Sequence, residues 1–198
     1  MIAVATSACL VAVAAYAVVQ VRLHRAGSGL SPLRNAISDY GVGVTARTWR
    51  WGGIANTLAI FALVVALVAA GRSWTSSAVL LTMLVAAARV VVTVLPSDLA
   101  GTRGSWAGRG HLVAAIAQFA ALCALVDGPG ATVFSSSRWP WAWTAHVVLD
   151  RCALVGLVAL CAALIVPALR RWFGLAERVF LYSATAWVGV AAAVLLAR

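Results

Sequence analysis

The residues that could do chemistry in this chain are few and lie in separate segments. An amide, a hydroxyl and a carboxylate lie close together at Asn35, Ser38 and Asp39, and a second carboxylate and an imidazole follow at Asp98 and His111. A neutral imidazole beside a carboxylate is a general base, and it can activate a serine hydroxyl or a water molecule as a nucleophile. These residue types therefore permit hydrolysis or group transfer, with His111 as the base, one of the two aspartates orienting it, and Ser38 or water attacking.

A second set of polar residues is suited to holding a ligand. An arginine guanidinium pairs with a phosphate or carboxylate through two parallel hydrogen bonds. Two arginines lie near other candidate residues. Arg109 lies two residues before His111, and Arg178 directly follows Glu177. The predicted ligand-binding residues are Asn35, Arg109, Glu177 and Arg178.

Most of these residues also have a structural interpretation. Asp98 follows a Pro-Ser pair at the predicted end of a helix, where aspartate commonly satisfies its own turn. His111 could simply begin the next helix, and Glu177 suits a first helical turn because of the helix dipole. Ser38 and Asp39 precede a glycine and could hold a turn against the rest of the protein. From the residues alone, both interpretations stay open.

The elements that must position these residues are spans in a bilayer. Hydrophobic residues make up 64% of the chain and charged residues 10%, which leaves too little polar surface for a water-soluble globule. A spanning helix needs about 20 apolar residues, and no alternation typical of a membrane β-barrel is visible. We therefore predict an all-α polytopic membrane protein, one bundle of six transmembrane helices over residues 1–198. The six windows are Ile2 to Val21, Trp51 to Ala70, Ser76 to Leu95, His111 to Val126, Ala142 to Val166 and Ala176 to Ala197.

The arginines predict the orientation of these spans. Cytoplasmic loops carry the excess of basic residues, and the odd-numbered loops hold Arg22, Arg25, Arg34, Arg47, Arg50, Arg103, Arg109, Arg170, Arg171 and Arg178. The even-numbered loops and the C-terminus hold only Arg72, Arg138 and Arg198. We expect a multi-pass protein of the cell membrane, with loops 1, 3 and 5 in the cytoplasm and both termini outside. Because the arginines adjoin spans, their expected partners are membrane lipids, including anionic ones, and not nucleic acid.

The first loop has a helical pattern of its own. Residues 31–41 place proline at a favourable first helical position and glycine at the end. Between them Leu33, Ile37 and Tyr40 recur at helical spacing, while the amide, hydroxyl and carboxylate named above occupy another face. This pattern predicts a short amphipathic helix on the membrane surface.

Charged residues within the spans predict an ion pair. Charges in hydrocarbon are rare and usually face a partner or a wet cavity. Arg89 lies in the third span, and Asp150 and Arg151 lie in the fifth. We predict that Asp150 pairs either with Arg89 across the interface of these two spans or with Arg151 locally.

The sequence excludes several specific kinds of site, including haem, metal and nucleotide sites. His111 and His146 lie at opposite ends of the predicted bundle, roughly 30 Å apart, so they could not hold one haem. A metal site built on His111, Asp39 and Asp98 would lack the nitrogen and sulfur ligands that zinc prefers. The four cysteines lie within spans and form no Cys-x-x-Cys pair, and no Walker, Rossmann or zincin motif is present. We expect neither a cofactor nor a metal.

Four short motifs carry a resemblance to a known family. They are Asn-x-x-Ser-Asp-x-Gly at residues 35–41, Pro-Ser-Asp at 96–98, Gly-His at 110–111 and Gly-Leu-Ala-Glu-Arg at 174–178. Together they resemble the six-span membrane family catalogued as domain of unknown function 998. A more distant similarity, in span count and in Ile-Ser-Asp at residues 37–39, runs to the damage-regulated autophagy modulator proteins. The resemblance implies a fold and a membrane location, with lipids as a hint and no assigned activity.

Two functions from different classes follow from these residues. In the first, the protein is non-catalytic and binds lipid headgroups or a membrane-protein partner through a polar face formed by loops 1, 3 and 5. In the second, the same face is a lipid hydrolase or transferase at the membrane interface. We favour the first, because structural networks also cluster titratable groups. A serine nucleophile would require Ser38 to lie within about 8 Å of His111, the reach of a hydrogen bond through one water.

Overall fold

The computed structural model describes residues 1–98 and 103–197. All regular structure in these residues is helical, which confirms the all-α prediction. The α-helices are α1 (Ile2–Arg25), α2 (Ala46–Ala69), α3 (Ser77–Val94), α4 (Trp106–Asp127), the one-turn α5 (Thr132–Ser135), α6 (Pro140–Ile165) and α7 (Phe173–Leu196). Short 3₁₀ helices lie at Ile37–Gly41, Gly43–Thr45, Pro129–Ala131 and Pro167–Trp172. The six α-helices other than α5 are long and apolar enough to cross a membrane, so the six predicted spans are confirmed.

Loops 1, 3 and 5 lie together at one end of the bundle. Their described residues are 26–45, 95–98, 103–105 and 166–172, and they share an end because consecutive spans alternate in direction. Loop 1 contacts loop 3 where the Ser97 hydroxyl donates to the Ser38 carbonyl at 3.0 Å. It contacts the start of α7 where the Leu175 amide donates to the Leu33 carbonyl at 3.1 Å. We call this the loop-1 end.

The spanning helices form a ring that is open on one side. Helix α1 packs against α2 and α7, α2 against α3, α3 against α4, and α6 against α7. Helices α4 and α6, which would close the ring, barely touch each other. The ring therefore has a gap toward the surrounding lipid between α4 and α6.

Small residues allow close packing of α6 on α7, because helices in lipid associate through small side chains that let their backbones approach. Gly156 and Ala163 are buried on α6. A Cβ atom at Gly156 would lie 2.9 Å from the Cα atom of Phe180 on α7. Cys152, which lies four residues before Gly156 on α6, is exposed.

Loop 1 differs from the predicted amphipathic α-helix. Its helix is a 3₁₀ helix confined to Ile37–Gly41, preceded by a turn. Ile37 and Tyr40 are buried as expected, but Leu33 is 45% exposed. The physical reason is that loop-1 carbonyl groups bond to α7 instead of continuing a helical ladder, as described below.

The spanning helices also extend beyond the apolar windows. Helix α1 continues to Arg25, α2 begins at Ala46, and α4 begins at Trp106. Several arginines counted as loop residues therefore lie in terminal helical turns, because backbone hydrogen bonds continue after hydrophobicity has ended. Arg198, which entered the orientation argument, lies outside the described residues.

Candidate functional site

Most of the predicted site residues converge on one open cavity at the loop-1 end. This cavity has a volume of about 570 Å³. We call it the interfacial cavity, and its polar lining is Arg34, Asn35, Ser38, Asp39, Ser97, Asp98, Arg109, His111 and Arg170. Of these, Arg34 and Arg170 were not among the predicted ligand-binding residues. The convergence of loops 1 and 3 with α4 follows the shared side that the sequence predicts.

A second cavity of about 330 Å³ lies deeper in the bundle. We call it the intramembrane cavity, and its polar lining is Ser38, Arg89, His111, Gln118 and Glu177. The remaining lining is largely apolar and comes chiefly from the facing sides of α4 and α6. Ser38 and His111 line both cavities, so the two adjoin at these residues.

His111 has a defined tautomer. Its Nδ1 atom lies 2.8 Å from the carbonyl oxygen of Leu95. Because a carbonyl oxygen only accepts, Nδ1 carries the proton and Nε2 is left as an acceptor. The predicted orienting role of Asp39 or Asp98 is therefore wrong, since the group that orients the ring is a backbone carbonyl. A neutral imidazole held in this way can still receive a proton at Nε2.

Two predicted site residues in loop 1 form bonds within the loop itself. The Asn35 side-chain oxygen accepts from the Ser31 amide at 2.9 Å. Asp39 Oδ2 accepts from the Ala36 amide at 3.0 Å and from the Asn35 side-chain nitrogen at 3.3 Å. These side chains hold the turn that precedes the 3₁₀ helix, so they support the structural interpretation of this motif.

Glu177 and Arg178 attach loop 1 to α7. Glu177 is buried and its Oε2 accepts from the Ile37 amide at 2.6 Å. Arg178 is also buried, and its Nη1 atom donates at 2.8 Å to the carbonyl oxygens of Pro32, Asn35 and Gly174. Both were predicted to bind a ligand, but their hydrogen bonds go to the main chain of loop 1 and of α7 and, from Arg178 Nε, to the His24 side chain on α1. Only Glu177 lines a cavity, the intramembrane one.

Gly174 is a positioning residue that polarity alone does not reveal. A Cβ atom there would overlap the Asn35 carbonyl oxygen and lie 2.7 Å from that of Pro32. Only a glycine lets loop 1 approach α7 closely enough for the Arg178 bonds. The available signal was its place in the Gly-Leu-Ala-Glu-Arg motif.

Comparison with protein families decides how the chain is classified. The family model described as "Protein of unknown function (DUF998)" matches residues 9–194. The chain belongs to the DUF998 family. Comparison with curated proteins and with solved structures gave no match.

The DUF998 match includes every candidate site residue and both cavities. It confirms the family resemblance carried by the four motifs. The match does not extend to the damage-regulated autophagy modulator proteins, so that similarity stays a prediction. Because the family has no assigned activity, the function of this DUF998 chain must be argued from its geometry.

The intramembrane charges of the DUF998 chain pair differently from the first predicted arrangement. Asp150 Oδ2 lies 3.7 Å from Arg151 Nε, and this is the one salt bridge within residues 1–98 and 103–197. The predicted pairing of Asp150 with Arg89 is therefore wrong, and the local alternative is the observed one. Arg89 instead lines the intramembrane cavity, as Glu177 does.

Asp98 stabilises the start of α4. Its Oδ2 accepts from the Ser105 amide and its Oδ1 from the Ser105 hydroxyl, each at 2.8 Å. The Ser105 hydroxyl in turn accepts from the Gly108 amide at 2.9 Å, as an N-cap residue does. The hydrogen bonds from the Ser105 backbone and side chain, together with the charge of Arg109, hold the pKa of Asp98 below its usual range.

We expect Asp98→Asn to lower the thermal unfolding midpoint at pH 7, because the new NH₂ group cannot accept from Ser105. A lowered folded-state pKa means that the stabilisation is complete above the ordinary aspartate value of about 3.9 and is lost as pH falls through the folded value. The difference between wild type and variant should therefore shrink on acidification below about pH 4. Thermal melts in lipid nanodiscs across this range measure it. Ser105→Ala should cause an overlapping, non-additive loss, and additive losses would contradict the assignment.

Within the part of the chain that the structure describes, no group of three histidine, cysteine, aspartate or glutamate side chains is arranged as metal ligands. Sequence reasoning also missed Gln118. It is buried at the middle of a span, and a polar residue in an apolar window was the signal that could have found it.

Proposed function

We propose that this DUF998 protein binds anionic lipid headgroups in the interfacial cavity. The single observation that carries the proposal is the arrangement of three arginines, Arg34, Arg109 and Arg170, around one open cavity at the end of the spans. All three side chains are exposed, and none forms a salt bridge among the described residues. Three cations at one cavity are suited to a phosphate-bearing headgroup.

The acidic groups of the cavity support the same conclusion. Asp98 receives hydrogen bonds from Ser105 on both oxygens, and Asp39 receives two on Oδ2. These carboxylates are therefore engaged in holding their own loops, and the arginines are left for an external anion. Trp106 and Trp172 flank the cavity in sequence and are exposed, as expected of indole rings at headgroup depth.

The test compares two triple variants of matched charge. In nanodiscs of phosphatidylcholine doped with phosphatidylglycerol, native mass spectrometry should detect retained anionic lipid on the wild type. Because each arginine near an anionic surface contributes about 1 kcal/mol, Arg34→Gln/Arg109→Gln/Arg170→Gln should weaken retention by about a hundredfold. The control Arg22→Gln/Arg25→Gln/Arg103→Gln removes equal charge from the same end but outside both cavities. It should keep the preference for phosphatidylglycerol, and equal losses in the two triples would contradict the proposal.

The second candidate function is hydrolysis of a lipid ester in the same cavity. The observation that favours it is the His111 tautomer, whose unprotonated Nε2 could take a proton from water. The resulting hydroxide would attack the ester carbonyl carbon, and the departing alkoxide would receive the proton back from His111. Ser38 lines the same cavities, but no hydrogen bond joins it to His111 among the described residues.

The nanodiscs of the first experiment also distinguish the two candidates. Time-dependent release of fatty acid by the wild type, lost in His111→Gln, would establish the enzyme. Stable retention of intact lipid by both proteins would establish binding without turnover.

A further inference from the structure

Three side chains that line the intramembrane cavity have a buried polar atom without a hydrogen-bond partner among the described residues, and they are Arg89, Gln118 and Trp49, the last at its indole Nε1. Arg89 is 5% exposed and Gln118 is 1% exposed, and both line the cavity. Among residues 1–98 and 103–197, neither Arg89 Nε nor Gln118 Oε1 has a partner. A buried polar atom without a partner destabilises a fold, and native structures rarely keep one without a reason. These atoms are therefore suited to a bound molecule that offers them hydrogen bonds.

The chemistry of the missing partners is specific. Arg89 Nε is a donor and needs an acceptor, whereas Gln118 Oε1 is an acceptor and needs a donor. A carboxylic acid carries both groups on one carbon atom. An ionised carboxylate is accommodated as well, because the Gln118 amide can turn its NH₂ group toward it. The positive charge of Arg89 favours a carboxyl group over an alcohol, since only the carboxyl group can ionise against the guanidinium.

The neighbouring acid does not take the place of this ligand. Glu177 lines the same cavity, but its Oε2 accepts from the Ile37 amide at 2.6 Å. No salt bridge within 4 Å joins it to Arg89 in the described part of the chain. Arg89 therefore keeps donors available inside an otherwise apolar cavity.

The gap between α4 and α6 has room for an apolar part of the ligand. The cavity has a volume of about 330 Å³, close to the lower end of the range of about 300–1,000 Å³ for small-molecule sites. Leu112 and Ile116 on α4 and Leu164 on α6 line it and are each 60% exposed toward the surrounding lipid. A polar group bound inside could thus have its hydrocarbon chain in the gap and continuing into the bilayer.

The depth of the two polar residues excludes a phosphate as their ligand. The 2.8 Å contact between His111 Nδ1 and the Leu95 carbonyl oxygen places these two residues at one level of the bundle. Arg89 lies six residues before Leu95 on α3, and Gln118 lies seven residues after His111 on α4. At 1.5 Å per residue both therefore lie about 10 Å further into the bundle. A phosphate group would have to give up its hydration while charged, whereas a carboxylic acid can enter in its neutral form.

We propose that the intramembrane cavity is a binding site for a long-chain carboxylic acid, with its carboxyl group at Arg89 and Gln118 and its chain in the gap between α4 and α6. This site goes beyond the headgroup binding proposed above, because neither of its two polar residues lines the interfacial cavity. The class of ligand is a single-chain fatty acid.

The experiment measures binding of radiolabelled palmitic acid to the protein in nanodiscs, with empty nanodiscs subtracted. Palmitic acid should bind and raise the thermal unfolding midpoint, whereas methyl palmitate and hexadecanol should compete poorly. Arg89→Gln should weaken palmitate binding about ten- to a hundredfold, as expected for the loss of a hydrogen bond to a charged group. The control Arg151→Gln removes an arginine from another span and should bind palmitate like the wild type.

Gln118→Leu keeps the test informative if Arg89→Gln folds poorly. Leucine removes a buried unpaired oxygen, so the unliganded protein should melt at or above the wild-type temperature while palmitate binding weakens. Unchanged palmitate binding in Gln118→Leu would overturn the proposal, and so would equal competition by the methyl ester.

The two binding proposals fail separately. The Arg34/Arg109/Arg170 triple variant should bind palmitate normally, and Arg89→Gln should retain phosphatidylglycerol normally. Loss of palmitate binding in the triple variant would place the fatty acid in the interfacial cavity and overturn the intramembrane site.

Discussion

Replacing Arg178 with lysine should destabilise the protein and release loop 1 from α7. The Arg178 guanidinium donates from Nη1 to three carbonyl oxygens at 2.8 Å and from Nε to His24 Nε2 at 3.0 Å. Its positive group also lies 5.6 Å from the centre of the Tyr40 ring. Lysine has a shorter side chain and no Nε–H group, so its ammonium group cannot bond to the three carbonyl oxygens and to His24 at once. Hydrogen bonds to charged groups contribute about 1.5–3 kcal/mol each, and we expect a net loss of at least about 3 kcal/mol.

Two measurements check the Arg178 prediction. Thermal melts in nanodiscs report the loss of stability, and hydrogen–deuterium exchange reports the opening of residues 26–45. Arg171→Lys is the matched control, because that exposed arginine lies at the same end and makes no bond to loop 1 in the described residues. Normal exchange protection of loop 1 in Arg178→Lys would show that these hydrogen bonds do not hold the loop.

Replacing Gly156 with alanine should separate α6 from α7. The added Cβ atom would overlap the backbone nitrogen of Phe180 and lie 3.0 Å from the carbonyl carbon of Val179. Backbone atoms cannot move aside as a side chain can, so the two helices must shift apart. Overpacking of this kind costs about 1–3 kcal/mol, although alanine is the better helix former.

Gly189→Ala is the control for the Gly156 prediction. A Cβ atom at Gly189 on α7 would meet only the Val13 side chain, at 3.4 Å. This ordinary contact leaves the gain in helix formation, about 0.5–1 kcal/mol, uncancelled. The two substitutions should therefore move the unfolding midpoint in opposite directions, and a Gly156→Ala variant as stable as the wild type would contradict the close helix contact.

The spans were predictable from the sequence because hydrophobic length is a property of each segment alone. The convergence of Asp98 and His111 on one cavity was also predictable, since alternating spans place the odd-numbered loops at one end. The conformation of loop 1 was not predictable, because helical spacing does not reveal that the Pro32 and Asn35 carbonyls bond to Arg178. That requires knowing which surface of α7 faces the loop.

The error over Arg89 has a different cause. Arg89 lies five residues from the loop-1 end of α3, whereas Asp150 lies fifteen residues from the same end of α6. At 1.5 Å per residue, their depths differ by about 15 Å, which is too far for an ion pair. Counting depth along each span would have excluded the pair. The cavity around Arg89 and Gln118 depends on the missing contact between α4 and α6, and no pattern within either helix predicts a missing contact.

The open side of the helix ring has a practical consequence for purification. Detergents are themselves single-chain amphiphiles, and the gap between α4 and α6 is lined by exposed leucine and isoleucine side chains that accept such chains. Solubilisation would therefore exchange any native occupant for a micelle component before the first assay. Extraction with polymers that cut discs directly from the membrane avoids this exchange and keeps the protein with the molecules that surround it in the cell.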